Sequence, residues 1–209
     1  MSDKKVNFYK VVWLFLIGCL FGYLLETVFY IIKYGTFVNK QGLIIGPFKP
    51  IYGTGTVLIS WLFSNLKIEK KFHVFIVGTI LGTIFEYLCS CLLEVIWGFY
   101  IWDYSNFNFN INGRVYIPYC FVWGLISVGW YSYVYPIFLK IYNTFKSNKF
   151  KCLTIIIGVF LAIDLLLTGL VYFRLKNSDN NNIVYQYIDK IFPKEEVASK
   201  FSKIRKIKK

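Results

Sequence analysis

The chain has 209 residues, of which 56% are hydrophobic and only 17% are charged. A soluble domain usually carries about 25% charged residues, so the composition excludes an ordinary cytosolic enzyme, a disordered chain and a disulfide-stapled secreted domain. It predicts a membrane protein whose apolar surface contacts membrane lipids. The net charge is +13, and in a membrane protein such an excess of basic residues usually lies in loops that face an anionic leaflet. Because the basic residues are divided among short loops and one tail, we expect no nucleic-acid partner.

Five apolar runs are predicted to be helices, because backbone polar groups in lipid must bond within their own segment and no run alternates with period two. The second run is short enough to be tilted or re-entrant, and the third is too long to stand upright within lipid. The predicted fold is therefore an all-α, polytopic membrane helical bundle of about five transmembrane helices. The runs are Val11–Ile32, Ile51–Leu66, Phe72–Trp102, Val115–Leu139 and Cys152–Phe173.

The composition becomes polar after Arg174, which divides the chain into a bundle over residues 1–175 and a basic, amphipathic tail over residues 176–209. The tail contains two pieces with apolar residues at helical spacing. It is either a soluble tail or a basic helix on a membrane surface, and the sequence favours neither. The apolar positions are Val184, Ile188, Ile191 and Phe192, then Val197, Phe201 and Ile204 after Pro193.

The distribution of basic residues predicts the orientation. If all five runs span, the N-terminus and the loops on its side hold 10 Lys, whereas the opposite loops hold 4 Lys and Arg. The short-loop rule then places the N-terminus in the cytoplasm, with the chain multi-pass in the cell membrane. The end of the chain, with 10 Lys and Arg from Arg174 onward, would lie outside. A second segment that does not span would break this parity.

Acidic residues inside the apolar runs are the best candidates for function. A carboxylate at the bilayer centre costs roughly 2.5–3.5 kcal/mol on insertion scales, so it needs a partner, water or a proton. The alternative is that these acids hold helices together through hydrogen bonds. The four acids are Glu26, Glu86, Glu94 and Asp164.

Two of these acids end the same glycine pattern. Small residues four apart share one helix face and let helices approach closely. The two copies are 60 residues apart, which suggests that the first and second pairs of helices are parallel repeats. We find no convincing match between the second and fourth runs, however. The patterns are Gly18-x3-Gly22-x3-Glu26 and Gly78-x3-Gly82-x3-Glu86.

Two loops carry polar and turn-forming residues. The first has a composition typical of a turn and a broken helix start with free backbone N–H groups. Its motif residues are Pro47, Pro50, Tyr52 and Gly53. The second combines an interfacial tryptophan, an opposite-charge pair and a tight Asn–Gly turn. Its residues are Trp102, Asp103, Asn110, Asn112, Gly113 and Arg114.

If all five runs cross the membrane, these two loops lie on the same side of it, together with the ends of the first and third helices. We therefore expect a polar cavity that opens to one face. The candidates for binding a solute or carrying protons are Glu26, Glu86, Glu94, Asp103, Asn110, Asn112 and Arg114. No metal and no cofactor are expected.

Five stretches resemble the family of type IV ABC-transporter permeases over about residues 10–140. The resemblance implies the membrane component of a transporter, and it supplies no established site. The chain lacks the GxxxxGK[ST] loop that cradles phosphates, so a separate subunit would have to hydrolyse ATP. Thr54 departs from the family, which has Phe at that place. The stretches are GYLLETVFY (Gly22–Tyr30), GPFKPIYGTG (Gly46–Gly55), Glu86–Tyr87, WDYS (Trp102–Ser105) and FNINGRV (Phe109–Val115).

Three functions stay open at this point. The first is a permease, in which Glu26→Gln would abolish uptake. The second is a membrane-embedded enzyme of lipid or cell-envelope metabolism, with Glu94 or Asp103 as general base and Arg114 on a phosphate. The third is a non-catalytic membrane partner or sensor. An enzyme is less favoured because the one histidine, His73, lies at the opposite membrane end.

Overall fold

The computed structural model describes residues 6–39, 41–68, 70–145, 147–177, 182–193, 196–197 and 205–206. Helices dominate these residues, so the expected all-α bundle is confirmed. The helices are α1 (Phe8–Tyr34), α2 (Pro50–Leu66), α3 (Lys71–Trp97), α4 (Ile117–Gly129), α5 (Tyr135–Thr144), α6 (Asn148–Lys176) and α7 (Ile183–Ile191). Two antiparallel pairs of short strands join β1 (Phe99–Tyr100) to β4 (Arg205–Lys206) and β2 (Asn110–Ile111) to β3 (Val115–Tyr116).

In the part of the chain that the structure describes, four helical stretches are long and apolar enough to cross a membrane. They are α1, α3, the continuous stretch Ile117–Thr144 and α6. The remaining bundle helix, α2, has 17 residues, in agreement with the prediction that the second run is short. The protein is therefore a multi-pass membrane protein.

A π-helical turn, Trp130–Val134, joins α4 to α5 without a break. Its cause is Pro136, which lies in the first turn of α5. Proline has no N–H to donate, and its ring meets the carbonyl of the residue four positions earlier. A widened turn removes that clash while the stretch continues as one helix.

Side-chain contacts show that α1, α3 and α6 run in the same direction. Trp13 in the first turns of α1 donates to the Thr154 hydroxyl near the start of α6, at 2.9 Å. At the other end, the Lys176 ammonium donates to the Ile96 carbonyl oxygen at 3.0 Å, so α3 and α6 end together. α2 packs antiparallel against α1, and α4 against α3. The ends of α1 and α3 therefore lie on the same side as the starts of α2 and α4.

The third helix is shorter than its apolar run. It ends at Trp97, and Gly98 caps it with a φ of 70°, its N–H donating to the Glu94 carbonyl at 2.8 Å. The left-handed conformation that glycine adopts without strain stops the helix. The prediction that this segment continues to Trp102 was therefore wrong, and Trp102 belongs to the following loop.

The two faces of α3 differ in chemistry. Four aliphatic side chains at helical spacing are at least half exposed and form the face that contacts lipid: Ile80, Ile84, Leu88 and Leu92. The opposite face is buried and carries Gly78, Gly82, Glu86 and Ser90. The residues that matter for a site therefore point into the bundle.

The tail packs against the end of the bundle. Arg174 at the end of α6 is buried and donates to both carboxylate oxygens of Asp189 on α7, at 2.7–3.2 Å. Ile188 and Phe192 pack against Val171 and its neighbours. Val197 of the second predicted piece is buried in the same cluster; Phe201 and Ile204 lie outside the described residues.

Candidate functional site

The α1–α2 pair is held together at two glycines of α1. A Cβ atom on Gly18 would lie 2.5 Å from the Thr56 hydroxyl oxygen, and one on Gly22 would lie 2.2 Å from the Tyr52 ring. No real Cβ tolerates such distances, so this seam requires glycine. The predicted close approach of helices at these glycines is what the structure shows.

The α3–α4 pair repeats this arrangement. A Cβ atom on Gly78 would lie 2.4 Å from Ser127, and one on Gly82 would lie 2.5 Å from Cβ of Trp123. In both pairs, the first glycine therefore meets a small hydroxyl residue and the second meets an aromatic residue one turn away.

The reciprocal contacts are equivalent as well. Gly53 of α2 lies against Cys19 and Phe15, and Gly124 of α4 lies against the residues 60 positions later, Thr79 and Phe75. The two helix pairs are thus copies of one hairpin in the same orientation.

The second helices of the two copies are offset by 71 residues, whereas the first helices are offset by 60, so the match between α2 and α4 was not evident from the sequence. The loop of the second copy is longer, and a search at one fixed offset cannot align both helices. At an offset of 71 the pattern P-[FY]-x2-[IV]-[YW]-G-x2-[TS] appears twice, beginning at Pro47 and at Pro118.

Glu26 lies at the end of the first seam. The Lys49 ammonium, at the start of α2, is 2.5 Å from the Glu26 carboxylate, and the Tyr52 hydroxyl donates to the same carboxylate. Burial lowers the pKa of Lys49, and the negative charge of Glu26 opposes that effect. The acid of the first hairpin therefore has its own countercharge.

Glu86 lies at the equivalent place in the second seam and is only 6% exposed. One carboxylate oxygen accepts from the Trp123 indole at 2.9 Å, and the other accepts from the Tyr104 hydroxyl at 3.2 Å. Burial, followed by the charge of Glu86, raises the pKa of Tyr104 far above its usual range, so this phenol remains a donor. The donors that the described residues supply to Glu86 are both neutral.

The two acids reach one shared cluster. The rings of Tyr52 and Trp123 have centroids 5.7 Å apart. The carboxylates of Glu26 and Glu86 both interact electrostatically with Tyr52. We call the seven residues that meet here the seam cluster. It comprises Glu26, Lys49, Tyr52, Glu86, Tyr104, Tyr119 and Trp123.

Glu94 lies two turns beyond Glu86 on α3, about 12 Å along the axis. Arg114 pairs with its carboxylate, donates to the Ser90 hydroxyl at 3.2 Å and lies over the Tyr87 ring. These contacts fasten the loop that contains Tyr104 to α3. Of the predicted acids, Glu26 and Glu86 therefore meet in the seam cluster, while Glu94 pairs with Arg114.

The polar loop residues mainly form turns. Asp103 accepts from the Ser105 N–H at 2.9 Å, and Asn110 accepts from the Gly113 N–H at 2.7 Å. Asn112 and Gly113 both have positive φ, as expected for the Asn–Gly turn between β2 and β3. Asn112 also donates to the Tyr87 hydroxyl, and the Trp102 indole donates to the Arg114 carbonyl.

The loop before α2 enters the bundle rather than covering it. Ile44 and Ile45 donate their N–H groups to Thr168 and Asp164 of α6, at 2.9 and 3.1 Å. Pro50 lies in the first turn of α2, and Lys49 donates its N–H to the Cys19 carbonyl halfway along α1. Free backbone donors were expected here, and Asp164 is one acceptor that uses them.

Four residues of the seam cluster were not among the site residues predicted from the sequence: Lys49, Tyr104, Tyr119 and Trp123. Lys49, Tyr119 and Trp123 stand within the repeat pattern, so an alignment at an offset of 71 would have pointed to them. Tyr104 has no comparable signal, because it reaches the site through the fold of the long loop. In the described part of the chain, no group of three His, Cys, Asp or Glu residues is arranged to hold a metal.

A family described as "Putative ABC-transporter type IV" matches residues 13–169. The chain belongs to this family. The matched region contains both hairpins except the first five residues of α1, together with most of α6, so the seam cluster lies within it and α7 lies beyond it. Neither a curated protein nor a solved structure matches the chain.

Proposed function

We propose that this chain is the permease component of an ATP-driven transporter, and that Glu86, together with Glu26, binds the solute or carries a proton. The observation that carries the proposal is the burial of Glu86 between neutral donors. An ionisable side chain inside a membrane bundle is costly and usually marks a transport pathway. Membership of an ABC-transporter family supports the same function.

The contacts of the other candidates support transport over a membrane-embedded enzyme. Arg114, the proposed phosphate-binding group of such an enzyme, fastens the loop to α3. Asp103, a proposed general base, forms a turn. We therefore assign Glu94, Asn110, Asn112 and Arg114 to positioning Tyr104 and Asp103 to the turn at Ser105, and we reserve solute or proton binding for the seam cluster.

An ATPase partner is the first consequence. The chain, tagged and purified in mild detergent from its own membranes, is expected to bring with it a subunit that has a Walker-type phosphate loop and hydrolyses ATP. Mass spectrometry and an ATPase assay of the purified complex measure this. Purification without any ATPase, from membranes that show ATP-dependent uptake, would contradict the permease assignment.

Vesicles prepared from the same membranes test Glu86. Inverted and right-side-out vesicles are supplied with ATP and a small-molecule extract. We expect one solute to accumulate in wild-type vesicles and not in Glu86→Gln vesicles, because glutamine keeps the shape of the glutamate side chain and removes its charge. Asp103→Asn is the matched control, because it removes one acid and keeps the acceptor for Ser105. Equal accumulation with Glu86→Gln would exclude Glu86 from the pathway.

We further propose that the protein lies in the cell membrane with its N-terminus in the cytoplasm, from the excess of Lys on that side. An epitope before Met1 is then expected to resist protease in intact cells, and an epitope after Asn112 is expected to be cleaved. Immunoblotting before and after permeabilisation measures both. The reverse pattern would invert the orientation and leave the fold unchanged.

A further inference from the structure

The seam cluster lies where the two hairpin copies meet. Tyr52 and Trp123 occupy equivalent positions in the copies, and their rings contact each other. Contact between a residue and its own equivalent is the mark of a two-fold relation. The axis of the duplicated unit therefore passes between these rings, with the equivalent acids Glu26 and Glu86 bonded to one ring each.

The two halves are not equal in charge. Lys49 neutralises Glu26 in the first copy, but the corresponding position of the second copy is Cys120. Within the described residues, the hydrogen-bond donors of Glu86 are a phenol and an indole. With Glu26, Lys49 and Glu86 ionised, the cluster has one net negative charge. A buried charge of this kind is stable only when a cation or a proton balances it.

A chain of neighbouring aromatic rings leads from this charge to the surface. Phe107 is 43% exposed and has its ring 5.1 Å from that of Tyr116, which is 5.1 Å from Tyr119. Tyr119 is in turn 5.7 Å from Tyr104, the residue that donates to Glu86. Ring faces attract cations, and substituted ammonium groups are bound by aromatic residues with a nearby carboxylate.

We propose that the seam cluster binds one monovalent organic cation of the substituted-ammonium class, with Glu86 as its counter-charge. Aromatic faces from both copies and from the long loop contact the cation: Tyr52 and Trp123 from the copies, Tyr104 and Tyr119 beside them. This names a solute class for the proposed transport function, on which it rests. The charge of the cluster limits the site to one positive charge.

Binding to the purified full-length chain tests the proposal without any ATPase. In equilibrium dialysis with radiolabelled choline as the probe, we expect one choline per chain. Tetramethylammonium should displace it, and 3,3-dimethylbutan-1-ol, the uncharged analogue of choline, should not. Glu86→Gln should weaken binding at least about tenfold, because it removes the countercharge, whereas Asp103→Asn should leave the affinity unchanged.

Two variants of Tyr119 distinguish direct contact of its ring with the cation from a structural role of the side chain. Tyr119→Phe keeps the ring and should bind choline nearly as well as the wild type, whereas Tyr119→Leu should bind several-fold more weakly at an unchanged melting temperature. Choline binding that is equal in Glu86→Gln and the wild type would overturn the site. Absence of binding by either ammonium probe, in a chain that co-purifies with its ATPase, would overturn the solute class and leave the permease assignment standing.

Discussion

Alanine at Gly82 or at Gly22 is expected to lower the melting temperature of the detergent-purified protein, whereas alanine at a helix glycine with open space around it is not. The new Cβ at Gly82 would lie 2.5 Å from Cβ and 2.7 Å from Cγ of Trp123, and the one at Gly22 would lie 2.2 Å from the Tyr52 ring. These atoms are close to the backbone, so whole helices must separate. Overpacking of this kind costs about 1–3 kcal/mol.

Helix propensity works in the opposite direction and makes the result diagnostic. Alanine is favoured over glycine in a helix by up to about 1 kcal/mol, so Gly→Ala in open space should stabilise. Gly129 supplies the matched control, because a Cβ there would have no neighbour within 4 Å. Thermal unfolding followed by tryptophan fluorescence compares the three variants. Equal melting temperatures for Gly82→Ala and Gly129→Ala would show that the seam is not closely packed.

The helices were predictable because lipid allows few alternatives. Apolar runs gave α1, α2 and α6 to within a few residues, since a helix alone satisfies the backbone in a bilayer. The end of α3 was not predictable from hydropathy, because Phe99, Tyr100 and Ile101 continue the apolar run. Gly98 ends the helix through its left-handed backbone conformation, which a hydropathy count does not register.

The candidate site was predictable only in part, for a related reason. Glu26 and Glu86 were identified because a carboxylate in an apolar run requires a partner, but the sequence does not name that partner. The partner of Glu86 on α4 is Trp123, 37 residues away, and Tyr104 reaches Glu86 from the intervening loop. Arg114 was read together with Asp103 in its own loop, yet it reaches across to Glu94. Pairings of this range follow from helix packing and loop course, which local patterns do not encode.

Arg114→Gln is the second change with a large expected effect, because it removes the ion pair that links the long loop to α3. Arg114 is mostly buried and bonds both Glu94 and Ser90. Loss of hydrogen bonds to a charged group costs about 1.5–3 kcal/mol. We expect amide hydrogen exchange to accelerate over Ile111–Tyr116 and around Tyr104. Tyr104 should then lose its hydrogen bond to Glu86, and ammonium binding at the seam cluster should weaken in proportion.

A double-mutant cycle shows whether the pair itself is responsible. Glu94→Gln alone should produce a similar loss, because it leaves the Arg114 guanidinium without its anion. The double variant Arg114→Gln with Glu94→Gln leaves neither charge unpaired, so its loss of stability should be smaller than the sum of the two single losses by about 1–3 kcal/mol. Additive losses would mean that Arg114 and Glu94 stabilise the loop independently. The loop would then be held to α3 by Asn112, which donates to the Tyr87 hydroxyl, and the positioning of Tyr104 beside Glu86 would depend on that contact instead.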